Sequence, residues 1–324
     1  MIDSVAEAVL PASRAQAAGV RQRIGGAELG AVGALAERLA AARHALRPVV
    51  DRKTLVVVAA DHGIADPGVD LGDDAPTVVA LRHLAGGGAA VNAAARTAGA
   101  QLVLVDCGIR GGGERNLGPG VLRIPVCDGT ADLREGAAMT PIEAVTSVQT
   151  GIALALSIAD AGVDVLGLGQ VSIGSPTVAG AIIAAVCGNA ADFDDADRVA
   201  IEEALDVSPG RRAPLELLTA FGGPDIGVLT GLMLSCASIN VPVILDDAAT
   251  WAAALIAANL APEITGYLIA AHAGGSPAHR AALDELGLAP LFDLGLARGE
   301  GTGAALALPL VDAAARLLAD NSAK

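Results

Sequence analysis

The sequence predicts a doubly wound α/β domain on a mainly parallel sheet. Three observations carry that prediction. Short, unbroken apolar runs recur along the chain, and strands buried on both faces read this way. Helix-length, alanine-rich segments alternate with them, which is the pattern of βαβ units with right-handed crossovers. The core must also be built from small side chains: 53% of the 324 residues are hydrophobic but only 2% are aromatic, which suits helices lying close on a sheet.

Taken in order, residues 5–47 read as helix, broken at Gly25-Gly26 and Gly30, with Leu29, Val32, Leu35, Leu39 and Ala40 spaced as an apolar stripe. Residues 54–60 are the first apolar run, a strand ending in Asp61-His62-Gly63. Residues 75–98 read as helix interrupted at Gly86-Gly87-Gly88, and residues 101–105 as the next strand, ending in Asp106. A Gly/Arg/Asn-rich loop at 112–120 leads to a candidate strand at 121–126. Thr140 then caps a helix over 142–161, with Pro141 in the first position and Glu143 three residues after the cap. A strand at 163–169 runs into a Gly/Ser loop and a helix at 178–186. Residues 189–197 read as an acidic surface loop, and another helix begins over 199–205. Gly222-Gly223-Pro224-Asp225 precedes an apolar helix at 226–237, apolar enough to pack on a second subunit as well as on the sheet. Strands follow at 241–245, ending in Asp246-Asp247, and at 267–271, ending in His272. Helices are expected at 251–259, 280–286 and 304–318. The implied division is a helical part of a small subdomain (1–50), an α/β sheet domain (51–299) and a C-terminal helix (300–324).

A net charge of −15 argues against nucleic acid and anionic membranes as partners. It leaves a phosphorylated ligand open, because a helix N-terminus binds phosphate without a basic side chain. Cys107, Cys127, Cys187 and Cys236 form no CxxC pair and read as reduced thiols of a cytoplasmic protein. Met1-Ile2-Asp3-Ser4 shows no secretory signal, and no apolar run of membrane-spanning length is free of Asp, Arg or Pro. His62 and His272 lie far apart, and no spaced ligand cluster suggests a metal.

In doubly wound sheets ligands bind beyond the carboxyl ends of the strands. Asp61, His62, Asp106, Gln170, Asp246 and His272 all fall at such ends. Singly, a strand-end Asp caps the next helix and a lone His is a structural residue; together along one edge they point to a site. The strand, Gly/Ser loop and helix around Gln170 suit a phosphate, although a plain strand–helix turn gives the same pattern. The loop is neither a Walker A nor a dinucleotide fingerprint. The most pointed stretch is Arg298-Gly299-Glu300-Gly301-Thr302-Gly303-Ala304-Ala305. It places one carboxylate between glycines just before a helix, a suitable setting for a general base facing a phosphate or a developing anion. A glycine-rich turn with a solvated Glu would be written in the same letters.

Asp61-His62-Gly63, Gly87-Gly88-Ala89-Ala90-Val91-Asn92, Gly222-Gly223-Pro224, the run from Pro242 to Asp246 and above all Gly299-Glu300-Gly301-Thr302-Gly303-Ala304-Ala305 resemble the nicotinate-nucleotide–dimethylbenzimidazole phosphoribosyltransferases. The resemblance implies a Rossmann-like parallel sheet with a small helical subdomain, and a cytoplasmic homodimer needing no cofactor and no metal. It implies transfer of phosphoribose from nicotinate mononucleotide to 5,6-dimethylbenzimidazole, a small-molecule nucleotide and an aromatic base, for the lower ligand of cobalamin. It makes Glu300 the base that takes the benzimidazole N–H proton, with Gln170 as the second catalytic position. The substrate-binding residues it implies are Asp61, His62, Val79, Gly87, Gly88, Val171, Ser172, Gly174, Ser175, Asp246, His272, Gly301 and Thr302.

The chain departs from the family pattern at several of these places. Gln170 stands where the family has a glutamate, and an amide cannot act as a base. Val79 stands where a glutamine reaches the benzimidazole, and Gly72-Asp73-Asp74-Ala75 replaces Tyr-Pro-Gln-Glu. Gly188-Asn189-Ala190-Ala191-Asp192 replaces Gly-Arg-Gly-Thr-Gly, and a lysine falls at about Ile201. His272-Ala273-Gly274-Gly275-Ser276-Pro277 replaces His-Arg-Ser-Ala-Glu-Pro. Two readings follow. One is a transferase with Glu300 as base and an altered donor or acceptor. The other is a catalytically degenerate relative acting as a ligand-binding or partner subunit, paired as a heteromer with an active paralogue.

Overall fold

The computed structural model describes residues 1–24, 29–65, 68, 71–188, 195–274, 277–296 and 299–320. Gly25-Gly26, the acidic stretch from Asn189 to residue 194, Gly275, Ser276 and Arg298 lie outside the described residues. Three helices open the chain: α1 (Ile2–Glu7), α2 (Arg14–Ile24) and α3 (Gly30–Ala42). Then come β1 (Lys53–Ala60), α4 (Pro76–Ala85), α5 (Ala90–Ala98), β2 (Gln101–Gly108) and β3 (Val121–Arg123). The middle of the chain forms α6 (Pro141–Ala161), β4 (Val165–Val171), α7 (Ser175–Cys187), α8 (Asp195–Val207), α9 (Pro214–Phe221) and α10 (Pro224–Ser238). It closes with β5 (Val243–Leu245), α11 (Ala248–Leu260), β6 (Leu268–Ala270), α12 (Pro277–Leu286) and α13 (Thr302–Asp320).

The six strands make one sheet in the order β3-β2-β1-β4-β5-β6, and every pairing is parallel. The order runs outward in both directions from β1 and β4, so the crevice between their carboxyl ends is the topological switch point. Successive side chains of β1 show why helices are needed on both faces. Val56, Val58 and Ala60 join one core cluster with residues of α6, α7, α10 and α11. Leu55, Val57 and Ala59 join the other, with residues of α3, α4, α5 and α13.

Several expectations are adjusted. The β4 strand begins two residues later than the apolar run, because the carboxylate of Asp164 is spent on Arg52, accepting from its backbone N–H and from Nη2, each at 2.9 Å. Gln170 and Val171 therefore belong to the strand end rather than to the loop. Leu29 and Val32 stay exposed while Leu35, Leu39 and Ala40 are buried, since α3 turns that later face toward α13. Helix α10 cannot pack on a second subunit: every residue from Pro224 to Ala237 is buried within the chain. Its partner is α6, and a Cβ on Gly151 or Gly231 would collide with the facing backbone. Among the described residues, two helices, α6 and α13, are long and apolar enough to cross a membrane by length and composition. Within this fold α6 packs on α10, and α13 packs on α3 and α5.

Candidate active site

The Glu300 turn lies flat on the strand ends. Glu300 has a φ of +61°, a left-handed conformation uncommon for a residue with a side chain, and Gly301 follows at +81°. Beneath them sits Gly169, where any Cβ would collide with the Gly301 backbone. Gly299 rests in the same way on the side chain of Asp247, and Gly303 on Asp246 and His272. The glycines on both sides of the contact thus bring the Glu300 backbone against the end of β4, one residue from Gln170.

Asp246, at the end of β5, anchors this turn. Its Oδ2 accepts from the Gly301 N–H at 2.8 Å and its Oδ1 from the Ala304 N–H at 3.2 Å, so it satisfies two of the free donors at the start of α13. Its own N–H donates to Thr250 Oγ1 at 3.0 Å. His272 Nε2 lies 3.3 Å from Asp246 Oδ1, out of line for a hydrogen bond. Nδ1 of the same ring accepts from the Gly274 N–H at 3.1 Å, which leaves the proton of the neutral ring on Nε2, toward Asp246. The ring stacks on Phe292 at 6.2 Å between centroids.

Asp247 ties two further pieces together. Oδ1 accepts from the Thr250 N–H at 3.0 Å and caps α11, while Oδ2 accepts from the Gln170 N–H at 3.1 Å. The residue is half-buried. Burial of its carboxyl, and then the charge of Asp246 beside it, push its pKa up to about 7.

A second cluster centres on Asp225, at the start of α10 and fully buried. Two N–H donors converge on its Oδ2, His62 Nε2 at 3.1 Å and Gln170 Nε2 at 2.7 Å, and Ser172 Oγ, whose one proton is shared with the Val171 carbonyl at 2.7 Å, lies 3.3 Å away. Ser172 Oγ also accepts from the Ala60 N–H at 3.1 Å, joining the ends of β1 and β4. Burial by itself would raise the Asp225 pKa. The charge of His62 and the hydrogen bonds from His62 and Gln170 outweigh it and hold the carboxyl below its ordinary value. Next to His62, Gly174 (φ +82°) packs against the 62–65 turn and leads into α7, where Ser175 is buried. Beyond it opens a cavity of about 540 Å³ whose lining includes Asp61, His62, Thr77, Arg110 and Ile173. Asp61 Oδ2 accepts there from the Arg110 N–H at 2.9 Å.

The expected residues Glu300, Gln170, Val171, Ser172, His62, Asp246, His272, Gly301 and Thr302 therefore come together at the switch point and the strand ends beside it, with Gly174, Ser175 and Asp61 adjoining. Val79, Gly87 and Gly88 lie on α4 and the α4–α5 turn, and that turn leads into Val91, whose side chain lies 3.5 Å from where a Cβ on Gly301 would sit. Val79 is 47% exposed on α4 and lines a shallow hollow of about 320 Å³ with Arg82, His83 and Gly88. Gly87 and Gly88 close the α4–α5 turn, donating to the Leu84 and His83 carbonyls at 3.0 and 3.1 Å. Ile201 is a core residue of α8, and Ala273 donates to the Phe292 carbonyl at 3.1 Å. Sequence reasoning missed Asp225 and Asp247. Asp225 carries the ordinary mark of an acid in the first turn of a helix, and nothing in its spacing links it to Gln170.

Comparison with known proteins bears on this site. A family model described as Phosphoribosyltransferase matches residues 2–323. The chain is 39% identical over 303 residues to the nicotinate-nucleotide–dimethylbenzimidazole phosphoribosyltransferase of Roseiflexus sp. (strain RS-1), covering 90% of this chain and 85% of that protein. It is 38% identical over 286 residues to the protein of the same name from Desulforudis audaxviator, covering 84% of this chain and 80% of that one. The crystal structure of the nicotinate-nucleotide–dimethylbenzimidazole phosphoribosyltransferase from Thermus thermophilus superposes with a TM-score of 0.87 at 35% identity, over 95% of this chain and 96% of that one.

Proposed function

The chain belongs to the phosphoribosyltransferase family, and from that premise we propose that it moves phosphoribose from nicotinate mononucleotide to 5,6-dimethylbenzimidazole or a related aromatic base. The product is an α-ribotide for the lower ligand of a cobamide. The observation that supports this reading is the Glu300 turn, held against Gly169 at the switch point where a doubly wound sheet takes its ligand. Glu300 takes the proton from the ring N–H of the base. The freed nitrogen lone pair attacks C1′ of the ribose, the bond from C1′ to nicotinate breaks, and nicotinate leaves with that electron pair. Attack opposite the leaving group inverts the anomeric centre. The phosphate is assigned to the start of α7, whose first N–H groups lie beyond Gly174 and supply positive potential without a lysine.

The experiment is incubation with nicotinate mononucleotide and a panel of benzimidazoles, purines and phenols, following nicotinate release. Release with at least one benzimidazole is expected; none with any acceptor would overturn the reading. The second reading, a ligand-binding subunit without turnover, draws support from the amide at Gln170 and the apolar, buried Ile201. It is favoured if the protein binds an aromatic base yet releases no nicotinate. The protein is assigned to the cytoplasm as a homodimer, with the α6 face bearing Ile142 (79% exposed) and Leu156 (48%) as the contact. A monomer in light scattering at micromolar concentration would remove that assignment, and an export signal cleaved in vivo would remove the compartment.

A further inference from the structure

The amide at position 170 is held by one end. Gln170 Nε2 lies 2.7 Å from Asp225 Oδ2. That oxygen belongs to a fully buried carboxylate which also takes His62 and Ser172. An ionised carboxylate only accepts hydrogen bonds, so the group Gln170 offers to it must be the NH2. Which end of the amide faces which way is thereby fixed by charge. The other end, Oε1, takes no partner among the described residues, and it is not among the enclosed unpaired atoms. The residue is 7% exposed at the carboxyl end of β4, one residue from the backbone contact between Gly169 and the Glu300 turn.

We propose that Asp225 is a positioning residue which locks Gln170 so that its carbonyl oxygen faces the ligand, making position 170 a neutral hydrogen-bond acceptor for a ligand O–H or N–H. The proposal rests on the transferase reading for the identity of that ligand, a ribose hydroxyl or the ring N–H of the aromatic base. It also explains why an amide is the compatible residue here. A glutamate at 170 would set a second carboxylate within hydrogen-bond distance of Asp225, and two such groups share a site only when one holds a proton. The low Asp225 pKa, which burial opposes but His62 and Gln170 bring about, keeps that carboxylate ionised when the partner is an amide.

Three variants test this. Gln170→Met keeps length and removes the acceptor; it is expected to retain its melting temperature within a few degrees and to lose at least tenfold in kcat/KM. Gln170→Glu is expected to melt near wild type at pH 5.5 and well below it at pH 8, with turnover falling over the same range. Gln170→Glu with Asp225→Asn removes one of the two charges and is expected to recover most of the loss at pH 8. The proposal is overturned if Gln170→Glu melts like wild type at pH 8, if it turns over faster there, or if Gln170→Met keeps full kcat/KM. Should the wild type release no nicotinate with any acceptor, the transferase reading falls, while the melting comparison still decides whether Asp225 and position 170 are paired.

Discussion

Two buried acids flank the crevice, and they are used differently. Asp225 gathers side chains: His62, Gln170 and Ser172 all meet one of its oxygens, and among the described residues no side chain donates to its Oδ1. Asp246 gathers backbone: both its oxygens hold N–H groups at the start of α13, and its histidine neighbour stands out of hydrogen-bond line. The difference separates two jobs. One acid orients the groups that meet a ligand. The other places the polypeptide that carries Glu300. A substitution at Asp225 should therefore alter chemistry before fold, and one at Asp246 should alter both.

The largest effect is expected at the residue that Asp246 places. Glu300→Gln keeps the shape and removes the basicity, and a positioned base is worth about 10²–10⁴-fold in rate. Turnover should fall at least a hundredfold with little change in melting temperature. A loss of stability without a specific loss of rate would make Glu300 a turn residue only. Next is Asp246→Ala, which strips two enclosed N–H groups of their acceptor. Each such loss costs about 1–3 kcal/mol, so urea denaturation should show several kcal/mol of lost stability together with lost turnover. Wild-type stability in this variant would erase the contrast between the two acids.

Asp225→Asn should cost less, because an amide oxygen still accepts from both N–H donors. Its signature is in pH. The Asp225 carboxyl is held below its ordinary 3.8 in the folded protein, the charge of His62 overcoming burial. Its stabilisation is therefore complete above about pH 4 and is lost as pH falls through the lower folded value. Acid unfolding of Asp225→Asn should be shallower than that of wild type in a melting series from pH 5 to pH 2. The smallest effect belongs to Asp247, and it has the opposite sign. With a folded pKa raised from 3.8 to about 7 by burial and then by Asp246, its ionisation opposes folding. Stability from this group is greatest below about pH 4 and falls as pH rises through 7. The urea midpoint of wild type should decline from pH 5 to pH 8 more than that of Asp247→Asn. An equal decline would place the titration elsewhere.

The sheet was largely legible. Runs such as residues 55–60 leave no polar position, and a strand without one must be covered on both faces, which implies parallel pairing and helices on either side. Strand ends were legible for the same reason, since Asp61, His62, Asp246 and His272 each mark where an apolar run stops. Helix α9 was not read, because its eight residues are too short to establish a period. The stripe through Leu29 and Val32 was overread, because helical spacing gives a face but not the point along it where a partner begins.

The sequence alone determined the kind of fold, the edge on which the polar residues gather and the candidate base between its glycines, because apolar periodicity and turn chemistry are local properties of the chain. Only the tertiary structure decided what surrounds Gln170. Asp225 lies 55 residues further along the chain, and Asp247 lies 77 residues from the N–H it accepts. Those contacts exist because β1, β4 and β5 end side by side and α10 begins against them. Nothing local encodes that arrangement, since it follows from the order in which the strands pair.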